Sequence, residues 1–587
     1  MPHLTPTTNS DLPFTVDSFD CLIDGLNYAA QGDTGYNFYS GRGELVETLT
    51  YRELREDAIE LALRLVRFGL PRGARVAIVG ETNPDFFRFF FGCQYAGLLP
   101  VPMPVPTTLG GRDAHISRLH MMMKSSGAVI GVASQELLGD VVAAADGISS
   151  IKMVGSAADF YALPAEGGGL RPLGHGDMCY IQYSSGSTRF PRGIMISQRS
   201  IVSNCRSIAL HGLQLTPEDR GVSWLPLYHD MGLVGFAIAP MMAQVSIDYI
   251  NTSDFARRPL VWLKVISENG GTLSFAPTFG YDLCARRASN GGGDDYDLSK
   301  WRAAGIGAEM IRADILDKFA ERFAGSNFSP KAFLPSYGLA ESTLAVSFAE
   351  LNGGYHLDRI DRAQYSTSGR AVPPKENGNA PANSVREFVH CGQPMPGHSL
   401  EIRDVDGNIL EERRIGRVLI KGPSVMAGYF TDKETTERVL LGDGWLETGD
   451  LGYLVDGSLV ITGRAKDLII FNGRNIWPQD IEWAVDRLDG LRRGDVAAFS
   501  LSSPEEDESV VVVVQCRISD KDKRERLETE IRSTVRRTVG VDCEVVLAPS
   551  RSLPLTSSGK LSRTWTRENY LSGKYDDSID PFPDGDE

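Results

Sequence analysis

Short, wholly apolar runs alternate with helix-length segments along this chain, and that alternation narrows the choice of fold more than any other feature. Residues 75–79 (RVAIV) read as a buried strand, and residues 84–95 read as an apolar helix ending near Gly97. Residues 128–133 (AVIGVA) and 179–183 (CYIQY) read as further strands. Strands spaced by helices in this way predict an α/β architecture with largely parallel sheets. At 587 residues the chain exceeds what one hydrophobic core serves, so two or more domains are expected. Residues 351–390 are rich in Gly, Pro, Asn, Ser and charge with little periodicity, and read as a long surface insertion. Residues 392–465 are rich in glycine and short β-like runs. Residues 495–500 (DVAAFS), 510–516 (VVVVVQC), a charged helix near 521–538 and 543–547 (CEVVL) read as a compact α+β module. The last twelve residues hold six acidic side chains and two prolines, which predicts a frayed tail.

Composition removes several classes of function. A net charge of −16 argues against a nucleic-acid partner, because phosphate backbones call for basic faces. The eight cysteines include no Cys-x-x-Cys pair, so zinc and dithiol sites lack support, and reduced, mostly buried thiols of a cytoplasmic enzyme are expected. The N-terminus shows no secretory pattern. The most apolar stretches are interrupted, 86–106 by Arg88 and four prolines and 231–245 by glycines, Pro240 and Gln244, so no transmembrane segment is expected.

Residues 184–193 carry the densest chemistry, Ser-Ser-Gly-Ser-Thr-Arg-Phe-Pro-Arg-Gly. Successive backbone N–H groups in a glycine-containing turn form a concavity for anions, and hydroxyls add donors. Arg189 and Arg192 add planar guanidiniums suited to phosphate oxygens, so a triphosphate is the natural guest. The Walker pattern Gly-x-x-x-x-Gly-Lys-Ser/Thr is absent from the segment. The loop follows a strand directly, and ligands of open α/β sheets gather at the carboxyl ends of strands.

Five downstream segments suit the remaining parts of a Mg·ATP complex. Gly307-Ala308-Glu309 is a short turn able to line an adenine. In Tyr-Gly-Leu-Ala-Glu-Ser-Thr (337–343), Tyr337 offers an aromatic face to a base and Glu341 a hard oxygen ligand to Mg²⁺. In 444–452, Asp450 lies between glycines, where a carboxylate can accept ribose hydroxyls. Residues 463–467 read Gly-Arg-Ala-Lys-Asp, and Lys560 follows a flexible Ser-Ser-Gly.

With that order of segments, the chain resembles the adenylate-forming superfamily of acyl-CoA synthetases, luciferases and peptide-synthetase adenylation domains. The likeness runs from Thr50-Tyr-Arg-Glu-Leu54 to about Tyr570. Residues 91–104, 223–233 and 274–284, together with the insertion, resemble most the fatty acyl-AMP ligase branch. The resemblance implies a large, multi-subdomain N-terminal domain (1–465), a small mobile α+β lid (466–575) and an acidic tail (576–587). It implies that Ser184, Ser185, Gly186, Ser187 and Thr188 hold the β- and γ-phosphates, with Arg189 beside them. Gly307, Ala308, Glu309 and Tyr337 would frame the adenine, with Gly338, Leu339 and Ala340 alongside. Glu341 would bind Mg²⁺, Asp450 would grip the ribose with Arg464 beside it, and Lys466 would be the hinge. Lys560 would bridge the carboxylate oxygen and the α-phosphate, while His229, Met231 and Thr278 would lie along the acyl tunnel.

The activity so implied is ATP-dependent conversion of a fatty acid to acyl-AMP. Transfer to the phosphopantetheine thiol of an acyl carrier protein, or of a carrier domain of a polyketide or peptide synthase, would follow. A fatty acyl-CoA synthetase is the rival within the same chemistry, and a non-catalytic acyl or nucleotide sensor is the rival of another class. The chain departs from the superfamily pattern at four positions. Arg189 stands for glycine, as the resemblance to the ligase branch leads one to expect, Arg192 for lysine, Thr278 for asparagine and Gln198 for histidine.

Overall fold

The valine-, isoleucine- and alanine-rich runs settle as the buried strands of two sheets in the computed structural model. It describes residues 4–9, 12–106, 111–165, 169–184, 191–289, 295–374, 384–471, 474–503, 506–556 and 559–575. The described residues form a nine-stranded sheet in the spatial order Gln393–Pro394, Ala345–Phe348, Phe333–Gly338, Ala303–Ile306, Leu273–Ala276, Arg220–Ser223, Ser246–Ile250, Gly35–Tyr39 and Leu45–Thr50. The six strands from Phe333–Gly338 to Gly35–Tyr39 are parallel to one another, and the outer pairings are antiparallel. A second sheet pairs Leu99–Met103, Arg75–Val79, Ala128–Val132 and Met153–Gly155, all parallel. The α/β expectation holds, down to the limits of the strand Arg75–Val79.

Local chemistry explains the helix that follows that strand. Asn83 accepts a hydrogen bond from the Phe86 N–H, Pro84 occupies the first turn, and Gly97 ends the helix at φ 74°. Phe86, Phe87, Phe89, Phe90 and Phe91 are all buried, so the helix Pro84–Ala96 is wrapped by core on most of its circumference.

Two segments take a form that the sequence left open. The strand Met178–Tyr183 pairs antiparallel with Gly193–Ser197, in a three-stranded sheet with Gly428–Tyr429. Met178–Tyr183 and Gly193–Ser197 are therefore the arms of a hairpin, and the Ser184 N–H donates to the Arg192 carbonyl at 3.0 Å. Two apolar runs separated by a glycine-bearing loop satisfy that pairing as readily as a crossover. The insertion 351–390 carries regular structure of its own. Leu357–Asp361 and Val385–Val389 pair antiparallel around the helix Arg362–Ser368. Ile360, Tyr365 and Phe388 are buried with Tyr453 and Trp477. Three inward apolar side chains suffice here, although the exposed residues between them hide the period; residues 375–383 lie outside the described residues.

A four-stranded antiparallel sheet, Ser399–Arg403, Gly416–Lys421, Leu446–Val455 and Ser458–Arg464, precedes the C-terminal module. In that module Val496–Ser503, Glu506–Gln515 and Glu544–Ala548 form a sheet against the helices Pro478–Val485 and Lys521–Val539, around a core of its own. All eight cysteines are buried and free, as expected. Among the described residues no helix is long and apolar enough to cross a membrane; the acidic tail 576–587 lies outside them.

The centre of the large sheet holds one polar knot. Arg220 spans both carboxylate oxygens of Asp248 at 2.5 and 2.7 Å and donates to the Thr7 carbonyl at 2.8 Å. Asn37 and Asn269 each donate to Asp248 at 2.8 Å. The pair joins neighbouring strands while nearly excluded from water. Arg220→Met removes the cation and leaves Asp248 buried. It should destabilise the fold by about 3–5 kcal/mol in denaturant unfolding, whereas replacing an exposed arginine such as Arg359 should change it by less than about 1 kcal/mol.

Candidate active site

The carboxyl ends of the central parallel strands open into a cleft of about 1180 Å³, closed on its other side by residues of the C-terminal module. The strand Ala303–Ile306 runs into it as Gly307-Ala308-Glu309. Gly307 passes so close to the next strand that a Cβ there would stand 3.1 Å from Ser336 Oγ and 3.2 Å from its carbonyl oxygen. Ala308 takes the left-handed conformation at φ 70°, a strain of order 1–2 kcal/mol for a non-glycine residue. That turn swings the Glu309 carboxylate back to accept the Phe279 N–H at 3.1 Å, at the start of the helix Thr278–Ser289. Burial pushes the Glu309 carboxyl up.

Tyr337 and Asp450 meet across the cleft floor, the tyrosine hydroxyl donating to Asp450 Oδ2 at 2.7 Å. Arg464, facing Asp450 across the Leu446–Val455 and Ser458–Arg464 pairing, reaches its Oδ1 at 3.2 Å. A carboxylate offers about four acceptor positions, so the clamp orients Asp450 and still leaves lone pairs for a hydroxyl-bearing ligand.

Glu341 sits on the turn Ala340–Ser342, next to Gly338 and Leu339 in the same cleft wall. Burial raises its pKa, and the Tyr429 hydroxyl, donating to Oε1 at 2.9 Å, offsets part of that. The turn is pinned from behind. Ser342 Oγ lies 3.0 Å from Ser424 Oγ, His398 Nε2 lies 2.6 Å from the same oxygen, and Thr343 Oγ1 donates to the Ser424 carbonyl at 2.7 Å.

His229 Nδ1 lies 2.7 Å from Asp230 Oδ1. Burial alone would raise the Asp230 carboxyl, but His229 and, further off, Lys560 hold it below its ordinary value. Met231 and Thr278 line the cleft nearby, and the buried Thr278 Oγ1 has no hydrogen-bond partner among the described residues. Lys560 enters from the C-terminal module on a tight turn, its carbonyl accepting the Thr556 N–H at 2.7 Å. Burial lowers the Lys560 pKa, Arg464 lowers it further, and Glu309, Asp230 and Asp450 pull it back up. Lysine from one module and carboxylates from three separate parts of the other thus meet in one place.

Most of the residues expected in a site share this cleft, Ser184 and Lys466 among them. Ser185, Gly186, Ser187, Thr188 and Arg189 lie outside the described residues. Arg192 lies 3.3 Å from Asp432 and stacks over the Tyr429 ring, one hydrogen bond away from Glu341. Gln198 stands apart from the cleft as a core residue, donating to Gln94 and accepting the Leu22 N–H. Sequence reading missed Tyr429, Asp230 and the ion pairs that join the two modules. Asp230 adjoins His229 and was within reach; Tyr429 carries no local signal, because its role depends on strand Gly428–Tyr429 pairing with Gly193–Ser197. Between modules, Arg312 lies 2.8 Å from Asp486, and Arg493 lies 2.6 Å from Asp282 and 3.1 Å from Asp314.

The family described as AMP-binding enzyme matches residues 30–430. A Caulobacter vibrioides protein, provisionally named an acyl-CoA synthetase, is 47% identical over 98% of this chain and 99% of its own length. The medium-chain-fatty-acid–[acyl-carrier-protein] ligase JamA of Moorena producens is 30% identical over 95% of this chain and 96% of its own. A solved structure from a study of fatty acyl-adenylate ligases of E. coli and L. pneumophila is 44% identical and superposes with a TM-score of 0.91, covering 96% of this chain and 100% of that one.

The module contact is testable by itself. Arg312→Ala strands the buried Asp486 at the junction, a loss of about 3–5 kcal/mol at that contact. Limited tryptic cleavage around 464–466 should accelerate in this variant and stay unchanged in Arg359→Ala.

Proposed function

The chain belongs to the AMP-binding enzyme family as an adenylate-forming ligase of the fatty acyl-AMP ligase branch, and from that premise we propose that it makes a fatty acyl-adenylate and hands the acyl group to the phosphopantetheine thiol of a carrier protein. The observation that carries this reading is the placement of Lys560 among Asp230, Glu309 and Asp450. In the proposed reaction a fatty carboxylate oxygen attacks the α-phosphorus of ATP, the new P–O bond forms, and pyrophosphate leaves with the electrons of the bond that breaks. Two anions must approach, and a fixed ammonium between them offsets the repulsion and stabilises the charge that develops.

Each remaining residue takes a part that its geometry supports. Gly307 and Ala308 bring backbone close to the strand bearing Ser336 and Tyr337, which suits a flat base held between turn and ring. Asp450, oriented by Tyr337 and Arg464, accepts ribose hydroxyls. The Thr278 hydroxyl and His229 face the fatty carboxylate. Among the described residues no group of three or more Asp, Glu, His or Cys side chains could by itself hold a metal. A lone carboxylate such as Glu341 fits Mg²⁺ that is bound mainly by phosphate oxygens, the usual arrangement for that ion. When bound there, Mg²⁺ supplies neutralising charge to the departing pyrophosphate. Residues 1–465 form the adenylating body in this reading, Lys466 is the hinge, and 466–575 move as the lid.

The name of the Caulobacter vibrioides relative favours CoA as the alternative acceptor. Incubation with laurate, Mg·ATP and either CoA or a holo-carrier protein separates the two. Acyl-carrier product is expected, and rapid acyl-CoA formation overturns the choice of acceptor.

Lys560→Ala should lower acyl-AMP formation by about a hundred- to a thousandfold (~2.7–4 kcal/mol) and leave ATP binding measurable by calorimetry. The protonated lysine is the working form, and its pKa lies below 10.5. The rate should therefore fall as pH rises through that lowered value. In Lys560→Arg this alkaline limb should vanish from the same pH range, because a guanidinium stays charged.

A further inference from the structure

Two phenyl rings carried by strands of the large sheet line the cleft. Phe275 and Phe348 both line the cleft, with ring centroids 6.3 Å apart and planes at 87°. Each ring occupies room that a glycine vacates. A Cβ on Gly305, the partner of Phe275 across the strands, would stand 2.0 Å from the Phe275 ring; a Cβ on Gly212 would stand 2.5 Å from the Phe348 ring. Phe236 backs Phe275 at 6.0 Å. The glycine at 212 and the phenylalanine at 236 come from two π-helical turns, Ile208–Gly212 and Leu233–Ile238, so both irregular turns of this region face the same pair of rings. Such turns are uncommon and concentrate at functional sites. Met231, Leu344 and Ala345, all apolar, line the same cleft, and a Cβ on Gly235 of the second turn would stand 3.3 Å from Leu344.

We propose that Phe275 and Phe348 form the floor of the acyl pocket and set the longest straight-chain fatty acid that the enzyme activates. The inference rests on the acyl-adenylating reading above. An apolar chain gains about fourfold in kcat/KM for each methylene that it buries. The gain stops where the chain end meets the edge-to-face pair, and longer acids must leave methylenes in water or bend.

The test is acid-dependent pyrophosphate release across straight-chain acids from butyrate to stearate, for the wild type and two variants of opposite effect. Wild-type kcat/KM should climb with length and then break. Phe348→Ala should carry the climb past that break, raising the ratio of kcat/KM for long over short acids by tenfold or more. Gly212→Ala, whose new methyl displaces the Phe348 ring into the cleft, should move the break to shorter acids. If Phe348→Ala does not fold, Phe348→Leu serves, with a smaller shift in the same direction. Fatty-acid-dependent release by the wild type with the same break in every variant overturns the floor alone. Absence of release with every acid in the wild type overturns the acyl-adenylating reading and the floor with it.

Discussion

An ammonium drawn out of bulk water needs carboxylates around it, and the cleft is arranged to meet that need for Lys560. Burial and Arg464 both work against its charge; Glu309, Asp230 and Asp450 work for it. Each of those carboxylates is in turn held in place by a neighbour. Glu309 is anchored to the Phe279 N–H through a left-handed alanine, Asp230 is paired with His229, and Asp450 is clamped by Tyr337 and Arg464. Fixed anions of this kind cost nothing to reorient when a substrate arrives, which is the physical basis of electrostatic preorganisation. The three anchors lie on three different elements of the large domain, so the fold of the parallel sheet and of the antiparallel sheet beside it is what brings them to one lysine.

The parts legible in the sequence are those where chemistry and local pattern coincide. The strand Arg75–Val79 and the helix after it announce themselves by apolar content, an Asn cap and a terminal glycine. Tyr337, Glu341, Asp450, Arg464 and Lys560 stand in short segments whose residue types already suit a nucleotide, and all five line one cleft. What stayed hidden was relational. Nothing near residue 429 says that its hydroxyl will meet Glu341, because that contact is created by a strand pairing with residues far away in sequence. The hairpin of Met178–Tyr183 and Gly193–Ser197 stayed open for the same reason. An apolar run before a glycine-bearing loop looks alike whether the chain then crosses over or turns back, and only the second run, Gly193–Ser197, decides it. Gln198, a departure from the superfamily pattern, belongs to a buried amide pair with Gln94 that ties the first helix to the sheet.

The segment 351–390 joins these two lessons. Its composition suits a solvated surface, yet it places Tyr365 and Phe388 around the guanidinium of Arg386, with Trp477 on another side. Arg386 then pairs with Asp480 at 3.0 Å, and Arg362 approaches the same carboxylate at 3.4 Å. Trp477 and Asp480 belong to the start of the C-terminal module, just past Lys466. A cation almost closed off from water and enclosed by three rings is a strong local interaction, since desolvation strengthens attraction to an aromatic face as well as to a carboxylate. The segment therefore grips the C-terminal module close to the proposed hinge, where a small displacement would be multiplied at Lys560.

The C-terminal module is also held by Arg312 with Asp486 and by the Arg118 guanidinium, 5.9 Å from the centre of the Trp565 ring. The Arg386 contact combines aromatic faces with a buried charge and loses little to added salt. The Arg312 contact has the same make-up, with the Trp483 ring at 5.1 Å and the buried Asp486, whereas Arg493 with Asp282 and Asp314 is ionic and its Arg493 and Asp314 are partly open to water. Exposed charges are screened far more than enclosed ones. Salt should thus weaken the Arg493 pairs before either enclosed arginine contact.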